Sequence, residues 1–275
     1  MTDPFPLVDL ALARRLERAE GRAGAAFVAS RARIAPELGA TWSEIAGALA
    51  MYDGVGSPIT QTFALGVVAP PSDDDLARLE AFFFERGADV NHEISPLAGV
   101  ELFARLVERG YRPVELTSVM YLPIGGTPRE SASGPVTVRR VGRDESVLWA
   151  TTAAQGWATE GAHLEEFMRT FGAVTAAAEG TQCFVAELDG TPVAASALAI
   201  HDGVALLAGA STRPEWRGRG AQAALLRARL RHAAAAGCDL AMMGALPGSA
   251  SQRNAERQGL RIAYTRAKWA RAVPV

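Results

Sequence analysis

The chain has 275 residues, 49% of them apolar and 21% charged, with a formal net charge of −2. This is the profile of a soluble globular protein of one large or two ordinary domains, and its near-neutral balance offers nucleic acid or an anionic membrane no general attraction, so any anion site must be local. Two cysteines, Cys183 and Cys238, exclude a disulfide framework; with no basic leader segment at MTDPFPLVDLALARR and no run of about 18 apolar residues, a cytoplasmic protein is expected.

In chain order, Leu79–Val90 reads as a helix, a stop at Gly87 and a strand that goes on to carry His92 and Glu93. Leu106–Val114 reads as a helix end, a stop at Gly110 and a further strand. Pro123–Pro135 holds Gly, Pro and Ser without an apolar period, which predicts a linker at 125–135 between domains at 1–124 and 136–275. Val136–Val141 then alternates like a fresh strand. Helices are predicted from Asp144 to about Ala158 and from about Leu164 to Ala178. Strands follow over 182–188, 192–200 and 204–211, with Asp189-Gly190 and Asp202-Gly203 as hairpin turns. A helix over 220–236 stops at Gly237, a strand covers 239–245, a short helix 249–258 stops at Gly259, and a last strand covers 260–270.

The halves repeat one another. Leu106–Val114 is matched by Ala255–Ala263 and Leu79–Val90 by Leu226–Leu240, both at an offset of about 150 residues, as a duplicated domain requires. The expected fold class is therefore mixed α+β (α/β): two similar domains, each a mostly antiparallel twisted sheet flanked by helices.

The segment STRPEWRGRGAQAALL, residues 211–226, carries the clearest chemistry. A helix N-terminus leaves about four amides unpaired and carries partial positive charge. Gly218 and Gly220 let a ligand approach the backbone, and Arg217 and Arg219 add charge, so the stretch reads as a pyrophosphate cradle. It lacks the Gly-Lys-Ser/Thr ending of a nucleotide triphosphate loop. Gly218, Gly220 and Ala223 formally meet the dinucleotide spacing, with Asp239 about twenty residues on. However, Asp239 falls at the beginning of its strand, and Arg213–Arg217 separates the preceding strand from the glycines. The corresponding turn of the first half, Val67–Asp75 (VVAPPSDDD), repels a pyrophosphate with three aspartates and removes donors with two prolines.

A strand, Pro-Glu-Trp-Arg-Gly-Arg-Gly and a long helix resemble the coenzyme A signature of the GNAT N-acetyltransferase superfamily, Arg/Gln-x-x-Gly-x-Gly/Ala. Arg217 and Gly220 match it, and Gln222 stands where Gly or Ala is usual. The resemblance covers the C-terminal half and implies a tandem protein with a degenerate first copy. It implies that acetyl-CoA is the co-substrate, its pyrophosphate held by the amides of Gly218, Arg219, Gly220, Ala221 and Gln222. It also implies that the strand edge Ala210, Ser211 and Thr212 pairs with the pantetheine arm, that Asn254 approaches the pantetheine or thioester, and that Arg213 and Arg217 meet the adenosine phosphates.

Acetyl transfer needs a neutral amine, a stabilised thioester oxygen and a leaving thiolate. Many family members protonate the thiolate with a tyrosine four residues before the glycine of the last helix; here that position is Ala255. Tyr264 is the nearest tyrosine in sequence. In the segment between the first two helices of the second half, Glu160 and His163 are candidates to steer or deprotonate the amine, and Trp157 to wall it. Glu93 is a further candidate on the acceptor side. No His/Cys/Asp spacing suggests a metal. The expected activity is an N-acetyltransferase, monomer or homodimer, acting on a primary amine of a small molecule. Its rivals are a non-catalytic acyl-CoA-binding or sensing module and a nicotinamide-dependent oxidoreductase.

Overall fold

The computed structural model describes residues 5–124, 135–157 and 162–274, so the expected linker lies outside the described residues except for Pro135. The chain divides into two compact units: Met1–Tyr121 with Gly244–Val275, and Leu122–Met243.

The first unit opens with α1 (Leu10–Ile34), whose N-terminus is capped by Asp9 accepting from the Leu12 amide at 2.8 Å. Leu12, Leu16, Ala19 and Val28 recur on its buried side. Three strands follow, β1 (Thr41–Ile45), β2 (Ala48–Tyr52) and β3 (Gln61–Phe63), then α2 (Asp73–Phe84), β4 (Val90–Ile94), α3 (Val100–Glu108) and β5 (Arg112–Pro123). Leu76, Leu79 and Phe83 of α2 form one core with Val90, Ile94, Leu102, Leu106 and Trp269.

The second unit holds β6 (Val136–Val141), α4 (Ser146–Gln155), α5 (Ala162–Ala177), β7 (Thr181–Leu188), β8 (Thr191–His201), β9 (Val204–Thr212), α6 (Ala221–Ala235) and β10 (Leu240–Ala245). Its strands run in the order β6-β7-β8-β9-β10, antiparallel up to β9 and parallel between β9 and β10. The hairpin turns have both central residues at positive φ, Asp189 and Gly190 at 50° and 74°, and Asp202 and Gly203 at 49° and 74°. That is the turn Asp-Gly favours, because its twist suits the strands it joins. Helix α4 covers one sheet face, Trp149 packing with Cys183, Val185, Ala195 and Ala197. From α6, His232 meets the ring of Phe184, the strand residue between Cys183 and Val185 that faces the other way.

From α1 in the first half and from α5 in the second, which has β6 and α4 in addition, the elements follow one order: helix, three strands, helix, strand, helix, strand. Strands and helices expected beyond residue 180 stand within one residue of their observed bounds. The expected boundary does not: the chain's last elements, α7 (Ala250–Arg257) and β11 (Arg261–Arg271), belong to the first unit. There the strand order is β1-β2-β3-β4-β11-β5. β11 is laddered antiparallel to β4 from Ala267↔Ile94 to Arg271↔Val90, and to β5 from Arg261↔Tyr121 to Ala270↔Arg112. Both edges of a strand must be paired when it is central, and nothing in a strand's own residues states which distant segments will pair them.

Candidate functional site

The candidate site is built around the end of β9. Its parallel ladder with β10 covers only Val204↔Leu240, Ala205↔Ala241 and Leu206↔Met242. Leu207–Thr212 run on without a β10 partner among the described residues. On the other side, Ala208 opposes Ala197 and Ser211 opposes Ala195, so Gly209 and Ala210 together face Ser196 alone. Gly209 has φ +58°. Two residues against one, the first a left-handed glycine, form a β-bulge that bends the strand. Gly209 and Ala210 are exposed, while Ser211 and Thr212 are buried.

After β9 the chain makes a one-turn 3₁₀ helix, Pro214–Trp216, and reaches α6 through Gly218 at φ 78° and Gly220 at φ 84°. Both lie in the left-handed region, and no atom stands within 4 Å of where a Cβ would project. Gly220 caps α6 without a side-chain hydrogen bond. Gly220 has no side chain with which to cap the first amides of the helix, and a helix end whose own cap residue leaves its amides uncapped is suited to receive an anion.

The arginines of this turn differ in their engagements. Arg213 pairs with Glu215 at 2.9 Å. Arg217 donates from Nη2 to the Gly156 carbonyl at 2.9 Å and from Nε to the Thr212 carbonyl at 3.4 Å. Arg219 stacks over Trp216, 4.7 Å from the ring centre, and among the described residues has no carboxylate partner. Of the three it is therefore the one whose charge stays available to a ligand. Gln222 donates to Thr212 Oγ1 at 2.7 Å, so the residue that departs from the expected glycine or alanine ties the helix start to the strand end. Ser211 Oγ donates to the Ala153 carbonyl at 2.7 Å. Gly156 lies so close that a Cβ there would stand 2.4 Å from that of Ser211. The end of α4, the end of β9 and the turn are thus one hydrogen-bonded assembly.

The structure brings together Ala210, Ser211, Thr212, Arg217, Gly218, Arg219, Gly220, Ala221 and Gln222. Trp157, half-buried, follows α4, its amide bonded to the Ala154 carbonyl at 2.9 Å. Glu160 and the His163 side chain lie outside the described residues. Asn254 is exposed on α7 and, with Tyr264 and Glu93, belongs to the first unit.

Tyr264 and Glu93 enter a buried charge cluster there. Tyr264 donates to Glu17 at 2.8 Å, and Arg266 meets Glu20 at 2.7 Å, Glu93 at 2.9 Å and Glu17 at 3.4 Å. Lys268 also reaches Glu93, at 3.3 Å. Burial pushes Glu17 up to about 7 against the pull of Arg266, and Tyr264 is held well above 10 by burial and by Glu17. Glu17, Glu20 and Arg266 were not singled out in the sequence. The three-residue spacing of Glu17 and Glu20 was visible, but charge at helical spacing ordinarily marks a solvated face. His92, beside Glu93 on β4, is fully buried, its Nε2 stands 3.2 Å from Tyr111 Oη, and burial lowers its pKa to about 3.

The corresponding turn of the first unit is already filled. Ser72 and Asp75 form a reciprocal capping box on α2. Arg14 donates to the Val67 carbonyl at 3.0 Å, and Arg105 pairs with Asp73 at 2.7 Å. Among the described residues no three His, Cys, Asp or Glu are grouped to hold a metal, and no helix is long and apolar enough to cross a membrane.

Residues 125–250 match the family model described as an acetyltransferase (GNAT) domain. Among solved structures, the chain is similar to a GCN5-related N-acetyltransferase from Kribbella flavida, with 20% identity, coverage of 90% of this chain and 95% of that one, and a TM-score of 0.62. It is similar to a GNAT-family acetyltransferase from Novosphingobium aromaticivorans, with 18% identity, 90% and 97% coverage, and a TM-score of 0.55. It also resembles a tandem GNAT protein from the clavulanic acid biosynthesis pathway, with 12% identity, 83% and 79% coverage, and a TM-score of 0.58. These likenesses establish the fold. No curated protein matches the chain.

Proposed function

We propose that this chain moves an acetyl group from acetyl-CoA to a primary amine of a small molecule, a reading supported by the match of residues 125–250 to the acetyltransferase (GNAT) domain model. One observation carries the reading: the helix end at Gly220, whose cap residue has no side chain to bond its first amides, adjoins a strand that has left its parallel partner. The amides from Gly218 to Gln222 hold the pyrophosphate, with Arg219 adding charge. The released edge of β9 at Ala210–Thr212 pairs with the peptide-like pantetheine arm, and the amides of the bulge stabilise the thioester oxygen as charge develops there. Arg217, spent on two carbonyls, shapes the turn. Glu160 and His163 are proposed to receive the amine proton and Trp157 to wall the acceptor.

Tyr264 is given no acid role, since its proton is directed to Glu17 and its pKa is raised. A thiolate is a fair leaving group without an acid, thiols ionising at about 8.5. The first unit is proposed to bind no coenzyme at its own turn, where Ser72 and Asp75 already cap α2. Asp239 directly precedes β10, and the 3₁₀ turn separates β9 from the glycines; neither suits a dinucleotide seat.

Acetyl-CoA is expected to raise the melting temperature where NAD does not, and thiol release is expected with at least one member of a panel of polyamines, amino acids, aminoglycosides and lysyl peptides. Gly220→Glu places a carboxylate in the seat and should abolish binding while leaving the fold intact. Unchanged acetyl-CoA affinity in that variant sinks the assignment. A second reading, acyl-CoA binding without transfer, is favoured by Ala255, buried where resembling enzymes carry the acid; binding with no thiol release across the panel selects it.

A further inference from the structure

A bulge disturbs the regular ladder, and buried carbonyls beside it need donors. Two side chains from opposite faces of the second unit's sheet supply them. Trp149 of α4 donates its indole N–H to the Ser196 carbonyl at 3.1 Å and to the Phe184 carbonyl at 3.2 Å. Phe184 and Ser196 are cross-strand partners. Arg229 of α6 donates from Nη1 to the Ala197 carbonyl at 3.0 Å and the Ala208 carbonyl at 3.3 Å, again cross-strand partners. Ser196 is the residue opposite the bulge, and Ala197↔Ala208 is the pair next to it.

Arg229 is 4% exposed and has no carboxylate partner among the described residues; its remaining bond, from Nε at 3.4 Å, goes to Leu225 of its own helix. An unpaired buried cation is unfavourable where an apolar side chain would fill the same space. Its planar fork is suited to holding two carbonyls at one separation.

We propose that Arg229, with Trp149 on the opposite face, is a positioning residue that fixes the Gly209–Ala210 bulge and so the place where the acyl group of the co-substrate is held. The proposal rests on the acetyl-transfer reading for its function but not for its structural part. The test uses the full chain and three variants: Arg229→Met, Arg229→Lys and Trp149→Phe. In the unliganded protein, Arg229→Met should speed amide exchange of Leu207–Thr212 by about tenfold and leave Leu240–Met243 within about twofold. Its affinity for CoA should stay within about threefold of wild type, while the ratio of acetyl-CoA to CoA affinity shifts by about fivefold or more. Arg229→Lys, which keeps the charge and one donor, should recover part of both effects.

Wild-type exchange at 207–212, or an even loss of protection and of both affinities, overturns the proposal. If wild type binds neither ligand, the acetyl-transfer reading fails, and the exchange experiment alone decides whether the brace exists. Should Arg229→Met fail to fold, Trp149→Phe, which keeps an aromatic but smaller side chain and loses the N–H, must show the same localised exchange for the proposal to stand.

Discussion

Glu17 shows how one buried side chain sets a pH dependence. It is fully buried, hydrogen-bonded by Tyr264, and raised to about 7 from 4.5. Between those values the folded chain holds a proton that the unfolded chain has lost, so this group's contribution to stability falls as pH rises through the window. Glu17→Gln keeps an acceptor for Tyr264 and has no proton to lose. Wild type should therefore lose more melting temperature than the variant between pH 5 and 8, and parallel curves would discard the idea. His92, lowered to about 3, acts oppositely, its contribution falling as pH drops below its ordinary 6.5; being common to both proteins, it cancels in the comparison. At Gln222 the bond to Thr212 is the side chain's visible use, so Gln222→Ala should cost about 1 kcal/mol of stability. Since the proposed donors of the seat are backbone amides, calorimetry should find acetyl-CoA affinity changed by less than about threefold.

Among the elements, the end of α4 packs closely on the end of β9. Gly156→Ala would press a methyl into Ser211, strain the Ser211–Ala153 bond and displace the carbonyl that Arg217 holds. Overpacking of this kind costs about 1–3 kcal/mol. Chemical denaturation should show that loss, and titration should show weaker acetyl-CoA binding, because the turn is anchored through the same carbonyl. A variant that keeps wild-type affinity despite reduced stability would separate the anchor from the seat. Hairpins and helices were readable one by one because Asp-Gly turns and glycine stops act locally. Gly209 sat in plain view within an expected strand, but a bulge exists only relative to the register of its neighbour. Arg229 looked like one more polar residue of an arginine-rich helix until packing placed it inside.

For the whole molecule the decisive strand is the last one. β11 stands between β4 and β5 and supplies Tyr264, Arg266 and Trp269 to the first unit's interior. Without it, β4 and β5 expose ladder edges, and Glu17, Glu20 and Glu93 lose their shared arginine. A fragment of residues 1–124 should therefore fail to unfold cooperatively when followed by circular dichroism, and adding a peptide of residues 244–275 should restore the transition. Cooperative unfolding of residues 1–124 alone would show that β11 is an accessory and not a core strand.

By itself the sequence determined the class of fold, the order of elements beyond residue 180, the position of the glycine turn that opens α6, and the acids that open a helix at the matching turn of the first half. Each of these is written in local signals: apolar period, turn residues, glycines before a helix and acids that cap one. Tertiary structure alone decided that the chain's last strand completes the first unit, that Arg266 gathers carboxylates 173 to 249 residues away, and that Arg217 and Arg229 donate to backbone carbonyls and Gln222 to the Thr212 hydroxyl. The physical reason is the same throughout. Hydrogen-bond partners and burial are properties of neighbours in space, and a chain states its neighbours only along itself.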